Sequence, residues 1–362
     1  MKKCKIYAIL FGFTALLYSC AHQQKINAYH FDTKKNIQVK RGAVVSASPL
    51  ASEVGVSILK QGGNAVDAAI ATQLALAVVH PSAGNIGGGG FSIIHLKNGE
   101  NISIDFREMA PGKASRDMYL DANGNPQMNL SQESPLAVGV PGSVAGIFEC
   151  MKYASLPFKK LIQPAIDLAE KGFVLSAGEA SSLNYNRKYF LKMNKVAPVF
   201  VKDVPWKTGD TLVQKDLAAT LERIRDNGAK GFYGGETAKF IAEQMTKDQG
   251  IITEEDLKNY QAKNRVPIVF DYKGNTVVTM PLPSSGGIIL EQMLKMSAME
   301  DIGEMKYGTL QSVQLMTEVE RRAFADRAKY LGDPDFVKVP VKTLVSDSYL
   351  KKRMSDYDPS KS

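Results

Sequence analysis

Residues 64–90 constrain the fold of this chain more than any other stretch. Asn64 can cap a helix over 65–79, and Ala65, Ala68, Ala69, Ala71, Ala75 and Ala77 leave that helix little side-chain bulk. Neighbouring backbones can approach such a helix closely, which predicts a central position. Pro81 ends it. The run Pro81-Ser82-Ala83-Gly84-Asn85-Ile86-Gly87-Gly88-Gly89-Gly90 that follows has almost no side chains. A phosphate cradle needs Gly-x-x-x-x-Gly-Lys-Ser/Thr, or Gly-x-Gly-x-x-Gly between a strand and a helix. Neither spacing occurs, and the run leaves a helix and enters a strand. Close backbone approach to a core helix or a substrate is the reading it supports.

Helices and hairpins alternate along the rest. Ser48-Pro49 reads as an N-cap with proline at the first helical position, opening a helix that Gly62-Gly63 stops. Strands are expected over 91–96 and 101–106 around Asn98-Gly99, with Ile102, Ile104 and Phe106 on one face and Ser103, Asp105 and Arg107 on the other. Helical patterns fill 142–153, 159–171, 214–227 and 236–248. Thr253-Glu254-Glu255-Asp256 has the form of a capping box opening a short helix. A hairpin over 267–280 should turn at Lys273-Gly274-Asn275. Helices follow at 288–299 and 310–331, and the tail from Ser346 is polar and expected to fray. There is no internal repeat and no low-complexity linker. The pattern suits an α+β body with a central sheet.

Composition excludes several classes. With 44% hydrophobic and 23% charged residues among 362, the chain is neither disordered throughout nor a polytopic membrane protein. The net charge of +8 comes from basic residues interleaved with acidic ones, as in Lys247-Asp248 and Glu318-Glu320-Arg321-Arg322, so no nucleic-acid partner is expected. At the N-terminus, Lys2, Lys3 and Lys5 precede the apolar run Ile6–Leu17, the form of a secretory signal. The run is too short for a bilayer span, which needs about 20 residues. Leu17-Tyr18-Ser19-Cys20 resembles a bacterial lipobox. That resemblance implies removal of residues 1–19, lipidation at Cys20, and a tether over 20–40, so the only membrane contact expected is through this lipid. Cys4 would leave with the signal and Cys150 would remain as a lone thiol, with no intrachain disulfide.

Candidate chemistry is sparse. His22, His30, His80 and His95 form no cluster with metal-ligand spacing, so no metal is expected. Asp105 and Arg107 are two apart on one strand face. From spacing alone, an ion pair filling a polar pocket is the simpler reading, against a guanidinium presented to a carboxylate. Ser284-Ser285-Gly286-Gly287 reads as a helix-capping loop, although it could offer N–H groups to an anion. Glu318, Arg322 and Asp326 are spaced i,i+4 and read as a salt-bridged helix face.

The segments gain meaning as a set. They are Gly62-Gly63-Asn64-Ala65-Val66-Asp67-Ala68, His80 to Phe91 through the glycine run, Asp105-Phe106-Arg107-Glu108, Gly139-Val140-Pro141-Gly142-Ser143, Gly250-Ile251-Ile252-Thr253, Pro283-Ser284-Ser285-Gly286-Gly287, and Phe324-Ala325-Asp326-Arg327 with Gly332-Asp333. In this order they resemble the γ-glutamyltransferase (γ-glutamyltranspeptidase) family. The resemblance implies an N-terminal-nucleophile hydrolase with an αββα sandwich, of which this chain supplies the large-subunit part over 41–345. Residues 346–362 would lead to a processing site. In that family the precursor cuts itself, and the new N-terminal Thr of the small subunit is the nucleophile, with its own α-amine as base. No catalytic residue is then expected in this chain, since the Thr would lie beyond Ser362. Arg107 matches the family arginine that binds the α-carboxylate of the γ-glutamyl group, which overturns the plain ion-pair reading. The implied partners are the chain's own small subunit and γ-glutamyl donors such as glutathione, with no cofactor. The chain alone would expose sheet edges and apolar faces for that subunit. Alternatives are a relative acting on glutaryl-cephalosporins or poly-γ-glutamate, and a non-catalytic envelope lipoprotein.

Overall fold

In α1 (Pro49–Lys60) proline occupies the first turn, as expected, but the Ser48 side chain makes no capping bond. Asn64 does cap α2 (Ala65–Val79), accepting from the N–H groups of Val66 and Asp67, while the Asp67 carboxylate accepts from Asn64 N–H. Asp67 also accepts from the Ser155 and Leu156 N–H groups, so a cap residue ties the helix to a distant loop. The alanine-rich α2 is buried on nearly every face. Its neighbours come as near as the sequence predicts. A Cβ on Gly55 of α1 would sit 2.3 Å from the Thr72 hydroxyl, and one on Gly84 would sit 2.0 Å from the Leu76 carbonyl oxygen.

A computed structural model describes residues 38–361. Strands β1 (Phe91–His95) and β2 (Asn101–Asp105) form the expected antiparallel hairpin, with Phe91 opposite Asp105 and His95 opposite Asn101. After α3 (Met128–Glu133), α4 (Ser143–Cys150) and α5 (Phe158–Lys171), a short pair joins β3 (Phe173–Val174) to β4 (Thr211–Leu212). Between those strands lies α6 (Ala177–Met193), which the sequence reading left out although Ser176 and Glu179 form its capping box. Helices α7 (Lys215–Asn227), α8 (Lys230–Tyr233), α9 (Gly235–Lys247) and α10 (Glu254–Asn259) lead to β5 (Lys263–Arg265). This strand pairs with β2 and was not anticipated. It takes the second edge of β2, where the Ser103 hydroxyl donates to the Arg265 carbonyl and Asp105 meets the Arg265 guanidinium, and Ser103 and Asp105 are buried along with Ile102, Ile104 and Phe106. The three-stranded sheet runs β1-β2-β5, with β1 and β5 as its edges. Phe91 and Ile93 on β1 remain more than a third exposed.

The hairpin of β6 (Ile268–Tyr272) and β7 (Asn275–Thr279) turns at Lys273-Gly274, both with positive φ. Helices α11 (Gly286–Met299), α12 (Leu310–Tyr330), α13 (Val341–Leu344) and α14 (Asp347–Met354) complete the chain. The main core gathers around α2, α5, α7 and the first hairpin. A second joins Ile289 and Met296 of α11, Leu315, Val319 and Ala323 of α12, and Leu350 and Met354 of α14. The expected fraying from Ser346 is therefore corrected: Ser346 caps α14, and Leu350 is wholly buried. The residues from Ala43 onward belong to one unit, and the tether and lipidation expectations for 1–37, Cys20 included, lie outside the described residues. Among the described residues, no helix is long and apolar enough to cross a membrane.

Candidate functional site

Arg107 lies two residues past the end of β2, and the backbone around it is gripped from both sides. Phe106 and Gly90 exchange N–H···O bonds of 3.0 and 3.2 Å, and Met109 and Val140 exchange bonds of 2.8 and 3.2 Å. The Gly142 and Ser143 N–H groups both donate to the Gly88 carbonyl, at 2.7 and 2.9 Å. Three motif segments thus interlock through main chain, and side chains would wedge them apart. A Cβ on Gly142 would lie 2.0 Å from the Phe106 carbonyl oxygen, and one on Gly89 would lie 2.5 Å from the same atom. The glycine run is a close-approach surface, as its sequence suggested.

Tyr260 completes the grip by donating a 2.8 Å hydrogen bond to the Arg107 carbonyl. Its ring stacks on Tyr233, whose hydroxyl donates to the Pro141 carbonyl at 2.9 Å. Burial pushes both phenols well above their ordinary range, so they act as neutral donors.

The Asp105 carboxylate does not pair with the Arg107 guanidinium. It meets Arg265 of β5 at 3.1 Å and accepts from the Arg107 backbone N–H, also at 3.1 Å. The physical reason is the third strand: it supplies a half-buried guanidinium beside Asp105, while Arg107 stands past the strand end and is exposed. Arg265 also binds Asp335 at 2.7 Å, and Lys263 meets Asp335 at 2.6 Å. The Arg265 and Lys263 cations hold the Asp335 carboxyl far below the usual carboxylate range. Arg107 itself makes no ion pair among the described residues.

These groups line one cavity of about 490 Å³, together with Glu108, Ser285, Arg327 and Asp333. Segments far apart in sequence converge there. Ser285 stands at the N-cap position of α11, as the capping-loop reading allows, but its side chain makes no capping bond. Its backbone is already helical (φ −70°, ψ −17°), and its hydroxyl accepts a 3.0 Å hydrogen bond from Arg327 Nε instead. The helix-face reading of α12 also needs correction. Arg322 does meet Glu318, but its other contacts are Asp356 at 2.7 Å and the Arg353 carbonyl at 2.8 Å. Asp326 faces Arg353, Tyr349 and Gln292. Both residues are buried under α14, so they serve helix docking and not a solvated face.

Sequence reasoning missed Lys263, Arg265 and Asp335, and named Arg327 as part of a motif, with no role of its own. The alternation Lys263-Asn264-Arg265 was the available signal for a strand with both basic side chains on one face. His80 and His95 remain apart, against Ser82 and Asn101. Among the described residues, no group of three or more His, Cys, Asp or Glu is placed to hold a metal ion. Cys150 is buried and unpaired, and burial pushes its thiol up.

Known proteins resemble this chain in sequence and fold. A sequence profile of the gamma-glutamyltranspeptidase family matches residues 51–362. The glutathione hydrolase proenzyme of Escherichia coli (strain K12) is 48% identical over 328 residues, covering 90% of this chain and 57% of that protein. The acylase ACY 1 proenzyme of Pseudomonas sp. (strain V22) is 38% identical over 328 residues, 88% of this chain and 59% of that protein. The chain thus spans a little over half the length of the curated relatives it matches. The crystal structure of Helicobacter pylori gamma-glutamyltranspeptidase superposes with a TM-score of 0.87 at 46% identity, covering 90% of this chain and 94% of that one. The fold is α+β, that of gamma-glutamyltranspeptidase and N-terminal-nucleophile hydrolase structures, and the chain belongs to the gamma-glutamyltranspeptidase family.

Proposed function

We propose that this chain is the large-subunit portion of a γ-glutamyltransferase, or glutathione hydrolase, that acts with its own small subunit. The small subunit would supply the nucleophilic Thr. Its hydroxyl attacks the γ-carbonyl of glutathione or a related γ-glutamyl compound, the leaving amine departs with a proton, and a γ-glutamyl ester remains. Water or the amine of an amino acid or peptide then takes the acyl group and restores the hydroxyl. Arg107 binds the donor's α-carboxylate through its planar fork. The observation that carries this reading is the convergence of three motif segments on one cavity, with an Arg107 guanidinium that pairs with no carboxylate among the described residues.

A hydrogen bond to a charged group contributes about 1.5–3 kcal/mol. Arg107→Ala in the assembled enzyme should therefore raise the donor KM about ten- to a hundredfold, with Arg107→Lys intermediate. Steady-state kinetics with an unchanged donor KM and kcat would sink the assignment. Likeness to the acylase ACY 1 proenzyme supports a second reading, a glutaryl-cephalosporin acylase; donor profiling separates the two. We place the protein in the bacterial cell envelope, anchored through Cys20. Fatty-acid labelling that persists in Cys20→Ala would remove the anchor.

A further inference from the structure

The cavity holds a second guanidinium that the reading above does not use. Four basic residues line it: Arg107, Lys263, Arg265 and Arg327. Lys263 and Arg265 are neutralised by Asp335 and Asp105. Arg327 makes no ion pair among the described residues, although Glu108 and Asp333 line the same cavity. It enters from α12, a different element from the β2 end near which Arg107 lies.

Among the described residues the Arg327 side chain makes one hydrogen bond, and that bond fixes what it can do. Its Nε donates to the Ser285 hydroxyl at 3.0 Å. That contact orients the guanidinium plane without discharging it, and leaves the two terminal nitrogens for another partner. A planar fork with both Nη groups open matches a carboxylate bidentately. Ser285 therefore acts as a positioning residue, which accounts for a serine at the head of α11 whose hydroxyl does not cap the helix.

Two unpaired guanidiniums brought to one cavity by separate elements suit a ligand with two separate carboxylates. A γ-glutamyl peptide is such a ligand: one carboxylate lies on the γ-glutamyl α-carbon and the other ends the leaving amine. We infer that Arg327 binds the free carboxylate of the leaving or accepting amine, and so sets a preference for amino-acid and peptide amines over uncharged ones. This inference rests on the γ-glutamyltransferase reading and on Arg107 holding the other carboxylate.

Two donors test it in the assembled enzyme: glutathione, whose leaving amine ends in a carboxylate, and γ-glutamyl-p-nitroanilide, whose leaving amine has none. Arg327→Gln should lower kcat/KM for glutathione relative to the anilide about ten- to a hundredfold, mostly through KM. Arg327→Lys should restore part of that ratio. Arg107→Ala should lower both donors in parallel. A ratio unchanged in Arg327→Gln, whether both donors fall or neither does, overturns the inference. Arg107→Ala that spares both donors instead overturns the placement of the γ-glutamyl group. Ser285→Ala keeps the charge and frees the fork, so it carries the same test if Arg327→Gln fails to mature. The ratio should then fall a few-fold, and an unchanged ratio counts against the proposal.

Discussion

The Tyr260 hydroxyl holds the carbonyl oxygen of Arg107 at 2.8 Å, from a residue 153 positions further along the chain. The bond acts on the backbone and leaves the guanidinium free. Tyr260→Phe keeps the stacked ring against Tyr233 and removes only the hydroxyl. We expect a loss of about 1–2 kcal/mol in stability. The donor KM should rise a few-fold, because the segment carrying Arg107 loses one of its anchors, while kcat changes less. Denaturant unfolding with donor kinetics checks both effects, and an unaltered KM would leave Tyr260 with a purely structural role.

Gly142 is where the interlock has least room. A methyl group there would meet the Phe106 carbonyl at 2.0 Å and the Tyr260 hydroxyl at 2.1 Å. Neither neighbour can withdraw without breaking the contacts that grip Arg107. Gly142→Ala should destabilise by about 1–3 kcal/mol or more. Gly87, in the glycine run, has open space around it and an ordinary φ. Gly87→Ala should stay within about 0.5 kcal/mol. Equal unfolding midpoints for the two variants would contradict this account of the glycines.

What could be read from sequence followed from local chemistry. The Asn64 cap, the Asn98-Gly99 and Lys273-Gly274 turns and the alanine-rich α2 each have a signal within a few residues, and each is found. What could not be read depends on partners far along the chain. Asp105 looked like a mate for Arg107 because nothing local announces that β5 will bring Arg265 alongside. Ser285 looked like a cap because its bond to Arg327 spans two elements. The tail from Ser346 looked frayed because its few apolar residues, Leu350 and Met354, stabilise a helix only once α11 and α12 are there to receive them.

That docking contains a charged network with a consequence for acid stability. Arg322 is 3% exposed, yet it touches Glu318 on its own helix, the Arg353 carbonyl of α14 and Asp356 just past that helix. Arg321 and Arg322 together hold the Glu318 carboxyl at about 2. A carboxyl depressed in the folded state stabilises fully above its unfolded value, about 4.3, and that contribution fades as pH falls toward the folded value. Glu318→Gln should therefore be less stable than the parent at neutral pH. The gap should narrow below about pH 4 and nearly close toward pH 2. Denaturant titrations across this range test it directly. A gap that stays constant with pH would mean that Glu318 contributes packing or a neutral hydrogen bond, and that its charge does not fasten the C-terminal helix.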